Sequence, residues 1–470
     1  MNTGALSSLE CSASSELTAG VAVPASYSSL TACEAADMTR DGRLTAEALA
    51  RSCLERIAKR DGEVRAWSFV DPQHALTRAR ELDKWTEKGP LHGIPIGIKD
   101  VIDTADMPTQ HNSPSYFGHR PSLDAACVMT LRHAGAVILG KTETVEFAAA
   151  GRQPVTRNPH NLDHTPGGSS SGSAAAVADH HVPLSIGTQT GGSTIRAGSF
   201  CGIFAMKPTW GLVSREGVKM QSITLDTVGW YARSVGDLQL VCDLFAIDAD
   251  RPAAPFTLAR AKIAVCKSPV WDAAEAGTRT AVQKGAKLLQ DAGVDVVELE
   301  LPMEFTKLAE DQVTIQNSEG RVAFLSEYRT HYAGLHPVLR ARVENQDHIS
   351  CDVLREAYDR SARCRVIFEE LCADFDAVLT PSAPGEAPRG FKDTGWDIFN
   401  RIWSLLHAPC INVPGFYGPN GLPIGLTLTG PRFADRKLLA VAAEVAGCFA
   451  GPSAGLTDAK PRGRGPTMAS

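Results

Sequence analysis

The sequence has no C-x-x-C pair, no apolar run near the roughly 18 residues that a membrane helix needs, and no basic residue before Arg40. The first absence, with 12 cysteines scattered from Cys11 to Cys448, excludes a zinc ribbon and a compact disulfide frame and fits buried, reduced thiols. The second excludes a transmembrane helix. The third leaves neither the charged start of a secretory signal nor an Arg-rich transit face, so the expected location is the cytoplasm. A positive surplus is missing too: 47 basic residues against 53 acidic give a net charge of -6, which offers no broad field to nucleic acid or anionic lipid. What is present is ordinary globular composition, 43% hydrophobic and 21% charged, in a chain of 470 residues, enough for one large α/β domain or two smaller ones.

Residues 1–29 hold eight serines and little patterned hydrophobicity and are expected to form a flexible N-terminal arm. Residues 451–470, punctuated by Gly and Pro, are expected to form a flexible tail. No internal repeat or low-complexity linker divides residues 30–450, which favours one continuous domain. Thr45 is placed to cap a helix with Leu49, Cys53, Leu54 and Ile57 on one face. Short apolar runs read as buried strands at 94–98, 136–139, 184–188, 262–266, 294–299 and 377–380. The run 262–299 reads as a β-α-β unit, and Pro419-Asn420-Gly421 as a hairpin turn. A mixed, largely parallel β-sheet covered by helices is the expected α/β fold.

Gly135 to Thr142 match the P-loop expression G-x-x-x-x-G-K-T letter for letter. The chemistry needs an open turn between the two glycines, whereas Ala136-Val-Ile-Leu139 has the character of the strand itself. The segment therefore reads as a strand and its exit turn.

Between Thr165 and Pro208 two Gly-Gly-Ser triplets occur, Gly167-Gly168-Ser169 and Gly191-Gly192-Ser193, the second following the strand at 184–188. Glycine permits sharp turns and close backbone approach. A serine on such a turn at a strand end presents its hydroxyl beside converging N–H groups, the geometry of a nucleophile with an oxyanion hole. A plain Gly/Ser-rich turn, or a phosphate site at the following helix, is the competing reading. A serine nucleophile needs a base. His164, His180 and His181 show no carboxylate partner at a recognisable spacing, and His180-His181 suits a helix exit facing water. Lys99 ends the apolar strand Gly93-Ile-Pro-Ile-Gly-Ile98, where catalytic groups of α/β sheets tend to lie, and could equally be a strand-end lysine paired with Asp100; Lys141 and Lys207 are rivals.

These residues resemble the amidase signature family over about 30–450, with the signature core at about 90–215. G-I-P-I-G-I-K-D, G-G-S-S-S-G, G-T-Q-T-G-G-S, F-C-G and M-K-P-T carry the likeness. G-T-Q-T-G-G-S-x-I-R, A-P-C-I-N-V-P and G-L-P-I-G draw it towards malonamidase-type amidases. The resemblance implies one α/β domain with helices on both sides of the sheet, and a Ser-Ser-Lys triad. Ser193 would be the nucleophile, Ser169 the bridging acid/base on a cis peptide after Gly168, and Lys99 the general base. The N–H groups of Thr190, Gly191, Gly192 and Ser193 would form the oxyanion hole, and Arg196, Gln189, Gly167 and Gly168 would contact substrate. Many members of the family carry Asp where Gln189 stands and an arginine two residues after the nucleophile. Here Thr194 and Ile195 intervene, and Ala197 stands where malonamidase-like relatives have proline. Arg196 is thus a candidate either for a substrate carboxylate or for clamping loop carbonyls.

The expected activity is cleavage of a small amide through an acyl-enzyme, with anilides, esters or carbamates as related substrates, no cofactor and no metal. A free lysine has a pKa near 10.4, so about 0.04% is neutral at pH 7, and burial has to supply the rest. Activity should therefore rise towards alkaline pH. The alternative is a glutamine-hydrolysing, A-type component of an amidotransferase that delivers ammonia to a partner. Expected partners are a small-molecule amide, neither nucleic acid nor membrane, and the sequence is compatible with a homodimer.

Overall fold

The computed structural model describes residues 26–450. The expected arm and tail lie outside the described residues, apart from a 3-10 turn at Tyr27–Ser29. Thr45 caps the helix Ala46–Val64, its hydroxyl accepting from the Ala48 N–H at 3.1 Å, a contact worth about 1 kcal/mol. Leu49, Cys53 and Ile57 are buried on its inner face.

Among the described residues, eleven strands make one sheet. In chain order they are β1 (Trp67–Val70), β2 (Pro95–Lys99), β3 (Val137–Thr142), β4 (Leu184–Gln189), β5 (Phe204–Lys207), β6 (Thr227–Ala232), β7 (Lys262–Val265), β8 (Asp295–Glu298), β9 (Ala377–Pro381), β10 (Cys410–Tyr417) and β11 (Pro423–Thr429). Their spatial order is β1-β3-β2-β4-β6-β5-β10-β11-β9-β7-β8. The sheet is mixed, as expected, but its parallel share is smaller than the expected largely parallel one. Four adjacent pairings are parallel and six antiparallel. The parallel pairs lie towards the two ends, while the centre runs back and forth through β4, β6, β5, β10, β11 and β9.

The β-α-β unit closes through the helix Ala276–Asp291, with β7 and β8 parallel. The hairpin turn at 418–422 joins β10 to β11. Successive strand residues face opposite sides of a sheet, yet Trp230 and Tyr231 in β6 are both fully buried. Both faces are therefore covered, and each such side chain contributes roughly 1.5–3 kcal/mol over leaving it in water.

The P-loop look-alike is β3, buried along its whole length. A Cβ on Gly140 would lie 2.1 Å from the Phe69 carbonyl oxygen, so β1 fills the space that a phosphate turn would need. Lys141 Nζ donates to the Ile102 carbonyl and to Thr109 Oγ1, both at 2.6 Å, and lies 3.7 Å from Asp100. Among the described residues no helix is long and apolar enough to cross a membrane.

Candidate active site

Strand β2 lies between β3 and β4, parallel to both, which puts Lys99 at the carboxyl end of a fully buried strand. Two turns approach that end. In one, Gly167 takes φ +83°, the Gly168–Ser169 peptide is cis, and the helix Ser171–Ala178 follows. In the other, residues 190–194 link β4 to the helix Ile195–Phe200.

Lys99 Nζ is 2.7 Å from Ser169 Oγ, 2.9 Å from Ser170 Oγ and 2.7 Å from Thr188 Oγ1. Its partners are hydroxyls, and Asp100 is not among them. Burial drives the Lys99 pKa well below the ordinary 10.5, against a weaker opposing pull from the Asp226 carboxylate. The Ser170 hydroxyl donates to the Thr188 carbonyl at 3.0 Å, so it has no proton left for Lys99 and must accept from it. A neutral amine that directs its two N–H bonds to Ser170 and Thr188 would turn its lone pair to Ser169.

Exposure rises from Lys99 at 0% through Ser169 at 5% to Ser193 at 9%, which makes Ser193 the member that faces outward. Ser193 Oγ makes no hydrogen bond among the described residues, so the chain of side-chain contacts joins Lys99 to Ser169 and stops short of Ser193. The backbone amides of Thr190, Gly191, Gly192 and Ser193 likewise donate to no acceptor among the described residues, which leaves four unused N–H groups at this turn. Thr190 turns its hydroxyl to Asp226 Oδ1 at 2.5 Å and accepts from Gln221 Nε2 at 2.8 Å.

Two residues expected to contact substrate are otherwise occupied. Gln189 lies under the loop: its Oε1 accepts from the Thr194 and Ile195 N–H groups at 2.9 and 3.0 Å, and its Nε2 donates to Ser404. Arg196 donates from Nη2 to the Gly168 carbonyl and, at 3.1 Å, to Thr394 Oγ1, which clamps the Ser169 turn. A cavity of about 850 Å³ bounded by His164, Phe200, Ala387, Asp393 and Trp396 is not lined by Ser169 or Ser193.

His164 and His181 make their contacts away from Lys99, Ser169 and Ser193. His164 pairs with the Ala387 carbonyl at 2.7 Å. His181 does not face water: it is fully buried, accepts from Trp67 Nε1 at 3.1 Å, and lies 3.0 Å from Asp179, the carboxylate partner that spacing did not reveal.

Sequence reasoning missed Ser170, Thr188, Tyr231, Asp226 and Arg342. The Ser169-Ser170-Ser171 run announced hydroxyls but not which one faces Lys99. Arg342, on the helix Pro337–Val343, donates to Gln221 Oε1 at 3.1 Å, and Gln221 in turn touches Thr190; burial lowers its pKa to about 10.

The family described as Amidase matches residues 48–439. Among curated relatives, the A subunit of the glutamyl-tRNA(Gln) amidotransferase of Symbiobacterium thermophilum is 33% identical over 463 residues, covering 85% of this chain and 93% of that one. A solved amidase structure superposes with a TM-score of 0.80 at 27% identity, covering 89% of this chain and 99% of that one. The native peptide amidase from Stenotrophomonas maltophilia gives 0.71 at 29%, covering 89% and 96%.

Proposed function

The chain belongs to the amidase family, and from that premise we propose that it hydrolyses a carboxamide through an acyl-enzyme on Ser193. Neutral Lys99 takes the Ser169 proton while Ser169 takes that of Ser193, whose oxygen attacks the carbonyl carbon. The N–H groups at 190–193 hold the oxyanion. Run in reverse, Ser169 protonates the leaving nitrogen, without which an amide C–N bond does not break. Water then releases the acid by the same route. The observation that carries this reading is the contact of a buried Lys99 amine with Ser169 at 2.7 Å, below a serine on a glycine turn.

For the amide itself, the curated relatives named as A subunits of an amidotransferase support the glutamine-hydrolysing reading above that of a free-standing amidase. Glutamine would present its side-chain amide to Ser193 and lose ammonia. Arg342 would meet its carboxylate, a role for which Arg196 is less suited while it clamps the Ser169 turn. The eleven cysteines of the described residues are free thiols, which supports a cytoplasmic setting. A free-standing amidase of small amides, anilides, esters or carbamates is the second reading, favoured by the likeness to the solved amidases.

The test is ammonia release from glutamine by wild type and Ser193→Ala, alone and with proteins that copurify from the native host, beside a small-amide panel. Glutaminase activity that rises with a partner supports the first reading, and turnover of the panel by the chain alone supports the second. Wild-type rates in Ser193→Ala refute both.

A further inference from the structure

The four carbonyls of the nucleophile loop each accept a hydrogen bond from a different donor. Thr190 O accepts from Gln312 Nε2 at 3.3 Å, Gly191 O from Ser404 Oγ at 2.6 Å, Gly192 O from the Arg196 N–H at 3.0 Å, and Ser193 O from the Tyr231 hydroxyl at 2.8 Å. In a planar trans peptide the C=O of one residue and the N–H of the next point in opposite directions. A donor that pins the Gly191 carbonyl therefore aims the Gly192 N–H to the other side, where the oxyanion forms.

Ser404 has one proton to give, and Gln189 settles where it goes. Because Gln189 Oε1 already receives the Thr194 and Ile195 N–H groups, its amide orientation is fixed and Nε2 faces Ser404, donating to Oγ at 3.0 Å. The Ser404 proton is then directed to the Gly191 carbonyl. Both side chains are buried. The loop lies directly on the helix Ile398–Leu405: a Cβ on Gly191 would be 2.2 Å from Asp397 Oδ2, and one on Gly192 2.3 Å from Asn400 Oδ1. Asp397, Asn400 and Ser404 follow one another at three- and four-residue spacing along one helical face.

We propose that Ser404 and Gln189 are positioning residues that aim the Gly192 N–H into the oxyanion hole through an uncharged bridge. The assignment rests on the acyl-enzyme reading above. It gives the helix Ile398–Leu405 a part in catalysis without contact with the reacting atoms.

Ser404→Ala should lower kcat about 10- to 100-fold, less than deleting a donor outright, with KM unchanged. A boronic acid that places one oxygen in the hole should bind Ser404→Ala more weakly by the same factor as kcat/KM falls. Ser404→Thr, which keeps the hydroxyl, should restore both. Gln189→Glu should cost as much, because a carboxylate draws the Ser404 proton to itself, and the double variant should be no worse than either single one. Wild-type kcat and boronate affinity in Ser404→Ala, or a loss confined to KM, would overturn the proposal. If Ser404→Ala does not fold, Gln189→Glu carries the same comparison. Ser193→Ala, run in parallel, separates the two levels: turnover surviving there refutes the site, whereas turnover lost there but intact in Ser404→Ala refutes only the bridge.

Discussion

Replacing Lys99 tests the chemistry at its most demanding point. A solvated lysine at pH 7 would hold the neutral form about 0.04% of the time, a cost of about 4.6 kcal/mol that burial has to remove. Lys99 is fully buried with only hydroxyls around its amine, and its pKa is held well below 10.5. Lys99→Ala removes the proposed base and should lower kcat/KM about 10²- to 10⁴-fold, the range expected for general-base catalysis. Lys99→Arg should be as inactive, because a guanidinium keeps its proton throughout the working range. The assay is initial-rate ammonia release from pH 5 to 10. The wild-type rate should rise along a limb whose midpoint lies below 10.5, and both variants should lack that limb.

Stability follows the same proton. Neutral in the native state and charged once exposed, Lys99 makes the unfolded chain bind more protons between its lowered pKa and 10.5. Stability rises with pH across that window, by at most about 1.4 kcal/mol per pH unit, and falls away as pH drops through the folded pKa. Urea unfolding of wild type and Lys99→Met should show this difference in slope. A Lys99→Ala variant that keeps the alkaline limb, or equal slopes for wild type and Lys99→Met, would refute the neutral-amine argument.

Ser170→Ala and Thr188→Val each remove one hydroxyl that orients the Lys99 amine, and a pH–rate profile should show roughly 10-fold slower turnover for either with the alkaline limb retained. Gly191→Ala places a methyl group against Asp397 and should abolish turnover, with a far-ultraviolet circular dichroism spectrum like that of wild type. Gly140→Ala pushes β1 away from β3 and should destabilise the fold by about 1–3 kcal/mol in urea titration. Lys141→Met should lower the melting temperature, since it strips the donor from the Ile102 carbonyl and Thr109, and isothermal titration of the wild type with ATP should show no phosphate-dependent binding.

Much of the fold follows from local pattern. Thr45 and the three- and four-residue spacing behind it specify a helix, and the short, mostly apolar runs at 94–98, 184–188 and 377–380 are buried strands. Strands β1, β5 and β6 escaped this reading, and with β5 and β6 the antiparallel pairings beyond the expected β10–β11 hairpin, because the direction of a strand depends on its neighbours rather than on its own residues. His181 shows the same limit on a smaller scale. Its place next to His180 suggested a solvated helix exit, yet Trp67, over a hundred residues earlier, buries it.

Local sequence by itself determined the strand that ends at Lys99 and the two glycine turns that carry Ser169 and Ser193, because turn chemistry and alternation are written within a few residues of each other. Tertiary structure alone decided which hydroxyls surround the amine and which way the nucleophile loop turns its amides. Ser170 and Thr188 meet Lys99 from 71 and 89 residues away, and Ser404 reaches Gly191 from 213. Hydrogen bonds over such separations exist only once packing has brought the elements together, and no periodicity along the chain encodes them.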